Sequence, residues 1–314
     1  MKSVDVSITQ HVLQLKDEVK LSVKFRSHRN PILPGLVILL HGRLDHSKKG
    51  TCCELEKKLS YSTLSYDARG MGTSTGKTGW VNIDEEVDDL KQVVKYIKTT
   101  FEPPNNKVLA IIGHSKGGGV CFKYGSTPSF KNQISQPNLY DSDNQDRVPL
   151  LVSISARYDL SQTGLSRFTS QQKEQLKREG SFIWLRYRAG LDNRERREFL
   201  VTSKDIEISQ SFNMDCVKDL PNGVQVLLLH GRADGTVSYR EAQKFDDQIR
   251  KNCQNTSVDL ILADGVQHNW DQAGEIDLMA DWVNPWIKHR AGKDSKRVPD
   301  HLLSDHLQLK THNS

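Results

Sequence analysis

A short glycine-rich stretch, Gly113-His114-Ser115-Lys116-Gly117, contains the side chain best placed for covalent chemistry. The apolar run Val108–Ile112 before it predicts a buried strand, and residues 118–124 can continue as a helix. A serine in a sharp turn between a strand and a helix exposes its hydroxyl at the end of the sheet, and the flanking glycines leave room for the turn. The pattern therefore predicts a nucleophilic serine, Ser115. The alternative is a glycine-rich loop in which the serine is incidental.

A serine hydroxyl is a weak nucleophile, so it needs a base within hydrogen-bond reach and a carboxylate that orients the base. Both should lie later in the chain, in loops at the carboxyl ends of strands. His268 follows the apolar run Val258–Leu262 and is the predicted base. Asp234 follows the run Val224–Gly231 and is the predicted acid, with Asp159 as the second choice.

Two main-chain N–H groups are expected to stabilise the oxyanion that forms during attack on a carbonyl. One belongs to Lys116, directly after the predicted nucleophile. The other belongs to Arg43, in the loop His41-Gly42-Arg43 after the first predicted parallel strand. We expect the side chains of Arg43 and Lys116 to face solvent, and we assign no chemical role to His114.

Metal and phosphate sites have no support in the sequence. Histidines, cysteines and acids do not cluster at the spacing of metal ligands, and the glycines of residues 113–119 lack the spacing of a phosphate-binding loop. We therefore expect neither a metal nor a cofactor.

Strand and helix patterns alternate along most of the chain, which predicts an α/β protein with a doubly wound, mainly parallel sheet. Apolar residues from Ile83 to Ile97 recur at helical spacing, and Asn82 with Glu85 predicts a capping box at the start of that helix. The predicted strands are Val19–Phe25, Gly35–Leu40, Leu64–Asp67, Val108–Ile112, Val148–Ile154, Val224–Gly231 and Val258–Leu262.

Residues 160–218 interrupt this alternation, so we predict a core of residues 1–159 and 219–290 with a helical cap inserted between them. Helical patches are expected at residues 171–178 and 193–200. The aromatic residues between Phe182 and Tyr187 either pack the cap onto the core or line a pocket. Residues 291–314 are polar and basic, and we expect a disordered tail there.

The net charge of +5 arises largely at the C-terminus, because residues 288–314 contain six Lys or Arg and three Asp. The rest of the chain is almost neutral, which argues against a nucleic-acid-binding face.

The five cysteines form no C-x-x-C pair, and we interpret them as reduced thiols. No apolar run has the roughly 20 residues that span a bilayer, and the first residues lack the apolar core of a signal peptide. We expect a cytoplasmic protein.

Several motifs occur in an order that resembles the α/β-hydrolase superfamily over roughly residues 15–290. They are His41-Gly42, Asp67-Ala68-Arg69-Gly70-Met71-Gly72-Thr73-Ser74, Gly113–Gly118, His230–Asp234 and Gly265–His268. Within the superfamily the chain resembles the serine aminopeptidase S33-type, monoacylglycerol-lipase-like group and the cinnamoyl (feruloyl) esterase-like group, including fungal and plant cytosolic members. The resemblance implies Ser115, Asp234 and His268 as a catalytic triad and Arg43 and Lys116 as the oxyanion donors.

These residues predict a serine hydrolase that cleaves a small carboxylic ester through an acyl-enzyme. The same triad could instead serve a peptidase, an amidase or a thioesterase, because fold and triad do not specify the leaving group. A different class of function, a non-catalytic ligand-binding protein on a hydrolase scaffold, is also open at this stage.

Overall fold

The short apolar runs of the sequence form the strands of a central sheet, since strands covered on both faces are apolar throughout. The computed structural model describes residues 6–127, 150–161, 165–190 and 194–291. Within these residues the strands are β1 Val6–Gln14, β2 Lys20–His28, β3 Leu36–Leu40, β4 Ser62–Tyr66, β5 Val108–His114, β6 Leu150–Ile154, β7 Ser181–Ala189, β8 Glu195–Thr202, β9 Gln225–Gly231 and β10 Ser257–Ala263. The α-helices are α1 Thr51–Lys58, α2 Ile83–Thr100, α3 Lys116–Gly125, α4 Ser170–Glu179, α5 Ser203–Ser211, α6 Arg240–Asn252 and α7 Glu275–Ala291.

Eight of these strands form one sheet in the order β1-β2-β4-β3-β5-β6-β9-β10. The pairs from β4 to β10 are parallel, whereas β1 with β2 and β2 with β4 are antiparallel. The prediction of a mainly parallel α/β sheet is therefore confirmed. Because the carboxyl ends of parallel strands meet at one edge of a sheet, the loops after β3, β5, β9 and β10 open on the same side of the molecule.

Helices cover the two faces of the sheet and divide the core into two apolar clusters. On one face, α2, α3 and α6 contribute buried residues such as Val87, Val120 and Phe245. On the other face, α1 and α7 contribute residues such as Leu55 and Val283. This arrangement holds the strand ends in fixed positions, which is what a multi-residue site at the sheet edge requires.

The first strand, β1, was not predicted from the sequence. It is an edge strand that pairs only with β2 in the described part of the chain, and Ile8 and Val12 on it are largely exposed. Residues 6–14 do alternate in the pattern of a strand, so the signal was present. It was weak because the outward positions are a mixture of apolar and polar residues.

The segment between β6 and β9 contains a β-hairpin as well as helices. The helical patch predicted at residues 171–178 lies within α4, but the prediction of a helix at 193–200 was wrong, because β8 begins at Glu195 and pairs antiparallel with β7. Phe199 and Val201 face a common buried cluster, and this two-residue spacing belongs to a strand. The segment predicted to be a helical cap, residues 160–218, is therefore mixed α and β where it is described, and its role as a cap and its boundaries at 159 and 219 stay predictions. The predicted tail falls, apart from residue 291, outside the described residues.

The hairpin is attached to the loop of residues 67–74 by main-chain acceptors of that loop. Arg197 donates from Nη1 to the carbonyl oxygens of Gly70, at 3.0 Å, and Ser74, at 2.8 Å, and the Tyr187 hydroxyl donates to Gly70 at 2.9 Å. The aromatic residues of the cap divide between the two expected roles. Phe182 is buried in the packing cluster, whereas Trp184 also lines the cavity described below.

Candidate active site

Ser115 sits between the end of β5 and the start of α3, with φ 53° and ψ −115°. A positive φ is uncommon for a residue other than glycine and indicates a strained turn held by its surroundings. Neighbouring main-chain atoms leave no space for a β-carbon two residues before or after Ser115. A β-carbon at Gly113 would lie 2.2 Å from the Gly117 carbonyl oxygen, and one at Gly117 would lie 2.3 Å from the carbonyl oxygen of Leu40. Only glycine fits on either side of this serine, as the sequence pattern predicted.

A continuous hydrogen-bonded chain joins the three side chains that the sequence singled out as nucleophile, base and acid. The Ser115 Oγ lies 3.0 Å from His268 Nε2, and His268 Nδ1 lies 2.7 Å from Asp234 Oδ2. These residues follow β5, β10 and β9 respectively, so the parallel sheet brings together positions separated by up to 153 residues. A carboxylate accepts only, which places the Nδ1 proton of neutral His268 towards Asp234 and leaves Nε2 to accept from the serine hydroxyl.

Asp234 is held as a carboxylate by a set of donors. Its Oδ1 accepts from the main-chain N–H groups of Thr236 and Val237, both at 2.8 Å. Burial alone would raise the pKa of Asp234, but hydrogen bonds from His230 and His268 outweigh burial and hold the pKa well below its usual range. An acid that remains ionised keeps the imidazole of His268 oriented for proton transfer.

Two further histidines support this arrangement, and neither was assigned a functional role from the sequence. The Nε2 of His230 lies 2.9 Å from the Val237 carbonyl oxygen and 3.2 Å from Asp234 Oδ2, so a proton on this nitrogen can serve both acceptors. The Nε2 of His114 lies 2.9 Å from the carbonyl oxygen of His268. Burial, and next the charge of His268, lower the pKa of His114 to about 3, so its ring is neutral at neutral pH and donates to the loop that carries the base.

The loop His41-Gly42-Arg43 lies beside the serine, as expected for a second oxyanion donor. A β-carbon at Gly42 would lie 3.4 Å from the Ser115 β-carbon. The His41 ring fixes the loop, because its Nδ1 donates to the Gly42 carbonyl oxygen at 2.7 Å and its Nε2 accepts from the Ala68 N–H at 2.9 Å. Among the described residues, neither the Arg43 N–H nor the Lys116 N–H donates to another main-chain carbonyl.

The prediction that the Lys116 side chain faces solvent was wrong. Only 8% of it is exposed, and its Nζ donates to Glu86 Oε1 at 2.6 Å and to Asn82 Oδ1. The Asn82 side chain is occupied by this ammonium group, so the predicted capping box with Glu85 is also absent at the start of α2. The Arg43 guanidinium lies 4.2 Å from the Trp80 ring centroid and donates to the Trp80 carbonyl oxygen.

A cavity of about 270 Å³ opens directly above the serine. Apolar and aromatic side chains form part of its wall, and three arginines form another part. The lining residues are Arg43, Leu44, Trp80, Ile83, Ser115, Lys116, Gly119, Arg157, Leu160, Arg167, Trp184, Thr236, Val237, His268 and Asn269.

Asp159, the second choice for the acid, does not reach the histidine. Its Oδ1 accepts from the main chain and hydroxyl of Ser161 instead, so it closes a local turn. No group of three or more potential metal ligands gathers in the described ranges. Among the helices described, none is both long and apolar enough to cross a membrane.

Comparisons with known proteins agree with this architecture. Residues 33–137 match the family described as Serine aminopeptidase, S33. The chain is 27% identical over 264 residues to the monoglyceride lipase of Saccharomyces cerevisiae, and the match covers 75% of this chain and 77% of the yeast protein.

Solved structures show the same fold at low sequence identity. The esterase Pf2001 of Pyrococcus furiosus superposes with a TM-score of 0.66 at 19% identity, covering 93% of this chain and 94% of the esterase. Est1E of Butyrivibrio proteoclasticus, solved with bound ferulic acid, superposes with a TM-score of 0.64 at 18% identity, covering 88% of this chain and 97% of Est1E. The chain thus has the α/β-hydrolase fold, and it is similar to the serine aminopeptidase S33 family over residues 33–137, to a monoglyceride lipase in sequence and to esterases in structure.

Proposed function

We propose that this protein is a serine hydrolase that cleaves a carboxylic ester through an acyl-enzyme. The observation that carries the proposal is the chain of hydrogen bonds from Ser115 Oγ to His268 to Asp234, with the serine at the floor of a cavity. Similarity to a lipase and to esterases supports the ester as the bond that is cleaved.

In the proposed reaction, Ser115 Oγ attacks the ester carbonyl while His268 Nε2 takes the hydroxyl proton. Asp234 holds the imidazole and stabilises the imidazolium that forms. The main-chain N–H groups of Arg43 and Lys116 bind the oxyanion of the tetrahedral intermediate, and loss of one such donor typically costs about 2.7–4 kcal/mol of transition-state stabilisation. The intermediate collapses as His268 protonates the departing alcohol. Water, deprotonated by His268, then hydrolyses the acyl-enzyme.

A neutral fluorophosphonate probe tests the nucleophile without assuming a substrate, because it phosphonylates an activated serine. We expect labelling of the parent protein and no labelling of Ser115→Ala, together with release of p-nitrophenol from short p-nitrophenyl esters by the parent alone. The matched control is Ser126→Ala, which removes a hydroxyl that lies outside the cavity and donates to the carbonyl oxygen of Phe122 at the end of α3. A folded parent protein that neither labels nor hydrolyses esters would favour a ligand-binding protein on the same scaffold.

A further inference from the structure

Three guanidinium groups line the cavity beside the proposed nucleophile. Arg43 follows β3, Arg157 follows β6, and Arg167 belongs to the segment between β6 and α4. Arg157 and Arg167 converge on one atom, since both donate from Nη2 to the Thr236 carbonyl oxygen, at 2.5 and 3.0 Å. Thr236 is in the loop that carries the proposed acid, so this pair of charges lies next to the triad.

None of these three arginines forms an ion pair with a carboxylate within the described parts of the chain. The acids whose charge they feel are already engaged, each with another partner. Glu86 pairs with Lys116, Asp234 with His268, Glu241 with Lys244, and Asp205 caps α5 through Thr202. Asp159 accepts from Ser161 and lies 4.0 Å from the Lys244 ammonium group. The Thr236 carbonyl oxygen accepts an N–H from each of Arg157 and Arg167, but it is uncharged and therefore does not neutralise either guanidinium group.

One donor of this group is buried without any acceptor. The Nη1 atom of Arg43 has no hydrogen-bond partner among the described residues, although the neighbouring Nη2 donates to Trp80 at 2.6 Å. A buried unsatisfied donor on a charged group is costly unless a ligand supplies the acceptor.

The arginines also destabilise one another's charges. Burial, and next the charge of Arg167, lower the pKa of Arg43 to about 10, and the pKa of Arg157 is lowered by burial and then by the same neighbour. Like charges held together in a partly buried cavity are relieved by an anion, which also pairs with the planar forks of the guanidinium groups.

Another part of the cavity wall is apolar. Trp80 and Trp184 pack edge to face at 4.9 Å, and Leu44, Ile83 and Val237 complete this surface. A ligand that fits the whole cavity therefore has an apolar part and an anionic end.

We infer that the substrate of this site is an ester that carries a carboxylate a few atoms from the scissile carbonyl, and that Arg43, Arg157 and Arg167 bind this carboxylate. The inference rests on the proposed function, since it names the substrate class of the same serine. These three arginines, called the arginine wall below, determine which ester binds, and the triad cleaves the ester bond.

The test compares two p-nitrophenyl esters with six-carbon acyl groups, the adipate monoester, which ends in a carboxylate, and the neutral hexanoate. For the parent protein we expect kcat/KM for the adipate monoester to exceed that for the hexanoate by about tenfold or more, as charge-assisted hydrogen bonds to a carboxylate would produce. A preference for the hexanoate would overturn the inference, because it would show that the three arginines do not bind the carboxylate of the adipate ester.

Arg167→Gln removes one charge at an exposed position of the wall, and we expect it to lower the adipate-to-hexanoate ratio about tenfold. Arg157→Lys keeps a charge but loses the planar fork, and we expect a smaller decrease. Arg178→Gln is the control, because Arg178 is an exposed cap arginine paired with Glu179 outside the cavity, and it should leave the ratio unchanged. An unchanged ratio in Arg167→Gln would contradict the inference.

Two inhibitors distinguish a carboxylate from a phosphate as the anion. With the hexanoate as reporter, we expect free adipate to inhibit the parent protein competitively and more strongly than inorganic phosphate, and Arg167→Gln to weaken that inhibition. Stronger inhibition by phosphate would overturn the assignment to a carboxylate.

Fluorophosphonate labelling distinguishes failure of this inference from failure of the proposed function. Labelling of the parent with no preference for the adipate ester would refute the inference and leave the serine hydrolase proposal intact. Absence of labelling would refute the proposed function itself.

Discussion

The turn at residues 113–117 and the triad that meets there, together called the elbow below, have their charges paired: Lys116 with Glu86, and Asp234 with hydrogen bonds from His268 and two main-chain groups. On the cavity wall formed by the loop after β6 and by the cap, Arg157 and Arg167 have only a carbonyl oxygen to bind in the described structure. The two regions are neighbours, and the difference in pairing accompanies a difference in exposure, because the side chains of Lys116 and Asp234 are buried whereas Arg167 is exposed. The difference in pairing indicates that the charges of the elbow are satisfied internally to fix the geometry of the reaction, whereas the charges of the wall are left for a ligand.

The largest expected effect of breaking the elbow comes from its proposed base. His268→Ala removes the only acceptor of the Ser115 hydroxyl proton in the described site, and we expect kcat on p-nitrophenyl esters to fall by about 10⁴-fold or more. Steady-state assays of p-nitrophenol release measure kcat for the variant and the parent protein. The matched control is His28→Ala, which changes a histidine of β2 outside the cavity and should retain activity. Comparable activity in both variants would remove His268 from the mechanism.

The second effect tests whether charge pairing fixes the elbow. Lys116→Met leaves Glu86 as an uncompensated buried charge, and breaking a buried pair in this way costs about 3–5 kcal/mol of unfolding free energy. Lys123→Met on the same helix removes an ion pair with the exposed carboxylate of Asp84 and should cost less than about 1 kcal/mol. Urea unfolding of both variants measures the difference, and equal losses would show that the buried pair does not stabilise this region.

The third effect tests the steric fit of the turn. Gly117→Ala places a β-carbon against the main chain of Leu40, and we expect a loss of about 1–3 kcal/mol in unfolding free energy with a drop in activity. Gly119→Ala is the matched control, because its β-carbon would meet only Ile83 at 3.5 Å and Met214 at 3.9 Å, which are ordinary contacts. Thermal unfolding compares the two variants, and a stable Gly117→Ala protein would contradict the close approach of these loops.

The smallest effect is a dependence on pH that arises at His114. Its folded-state pKa of about 3 lies below the ordinary value of 6.5, so between these pH values the unfolded chain binds the extra proton and the folded protein does not. The free energy of unfolding therefore falls as pH decreases through this window, by about 2 kcal/mol at pH 5 from this residue. We expect urea unfolding of His114→Gln to show a correspondingly weaker decline between pH 6.5 and 5. Parallel declines in the two proteins would contradict a buried, neutral His114.

The core strands and the order of the site residues were predictable because each has a local signal. Parallel strands buried on both faces are apolar throughout, and the glycines around Ser115 are required by contacts that admit no β-carbon. The β-hairpin of the cap was missed because its strands contain many charged residues, and only Phe199 and Val201 mark the buried face of β8. Local pattern in such a segment does not distinguish a half-exposed strand from a surface helix.

The sequence by itself determined the fold class, the strained turn at residue 115 and the candidate residues after each strand, since these depend on residue type and short-range spacing. Tertiary structure alone decided that Lys116 turns inwards to Glu86, that His114 bonds to the main chain of His268, and that three arginines share a cavity. These contacts join residues from different elements, and their formation depends on burial and on competition among partners. A side chain's charge can be read from the sequence, but which partner neutralises it is decided only when the chain has folded.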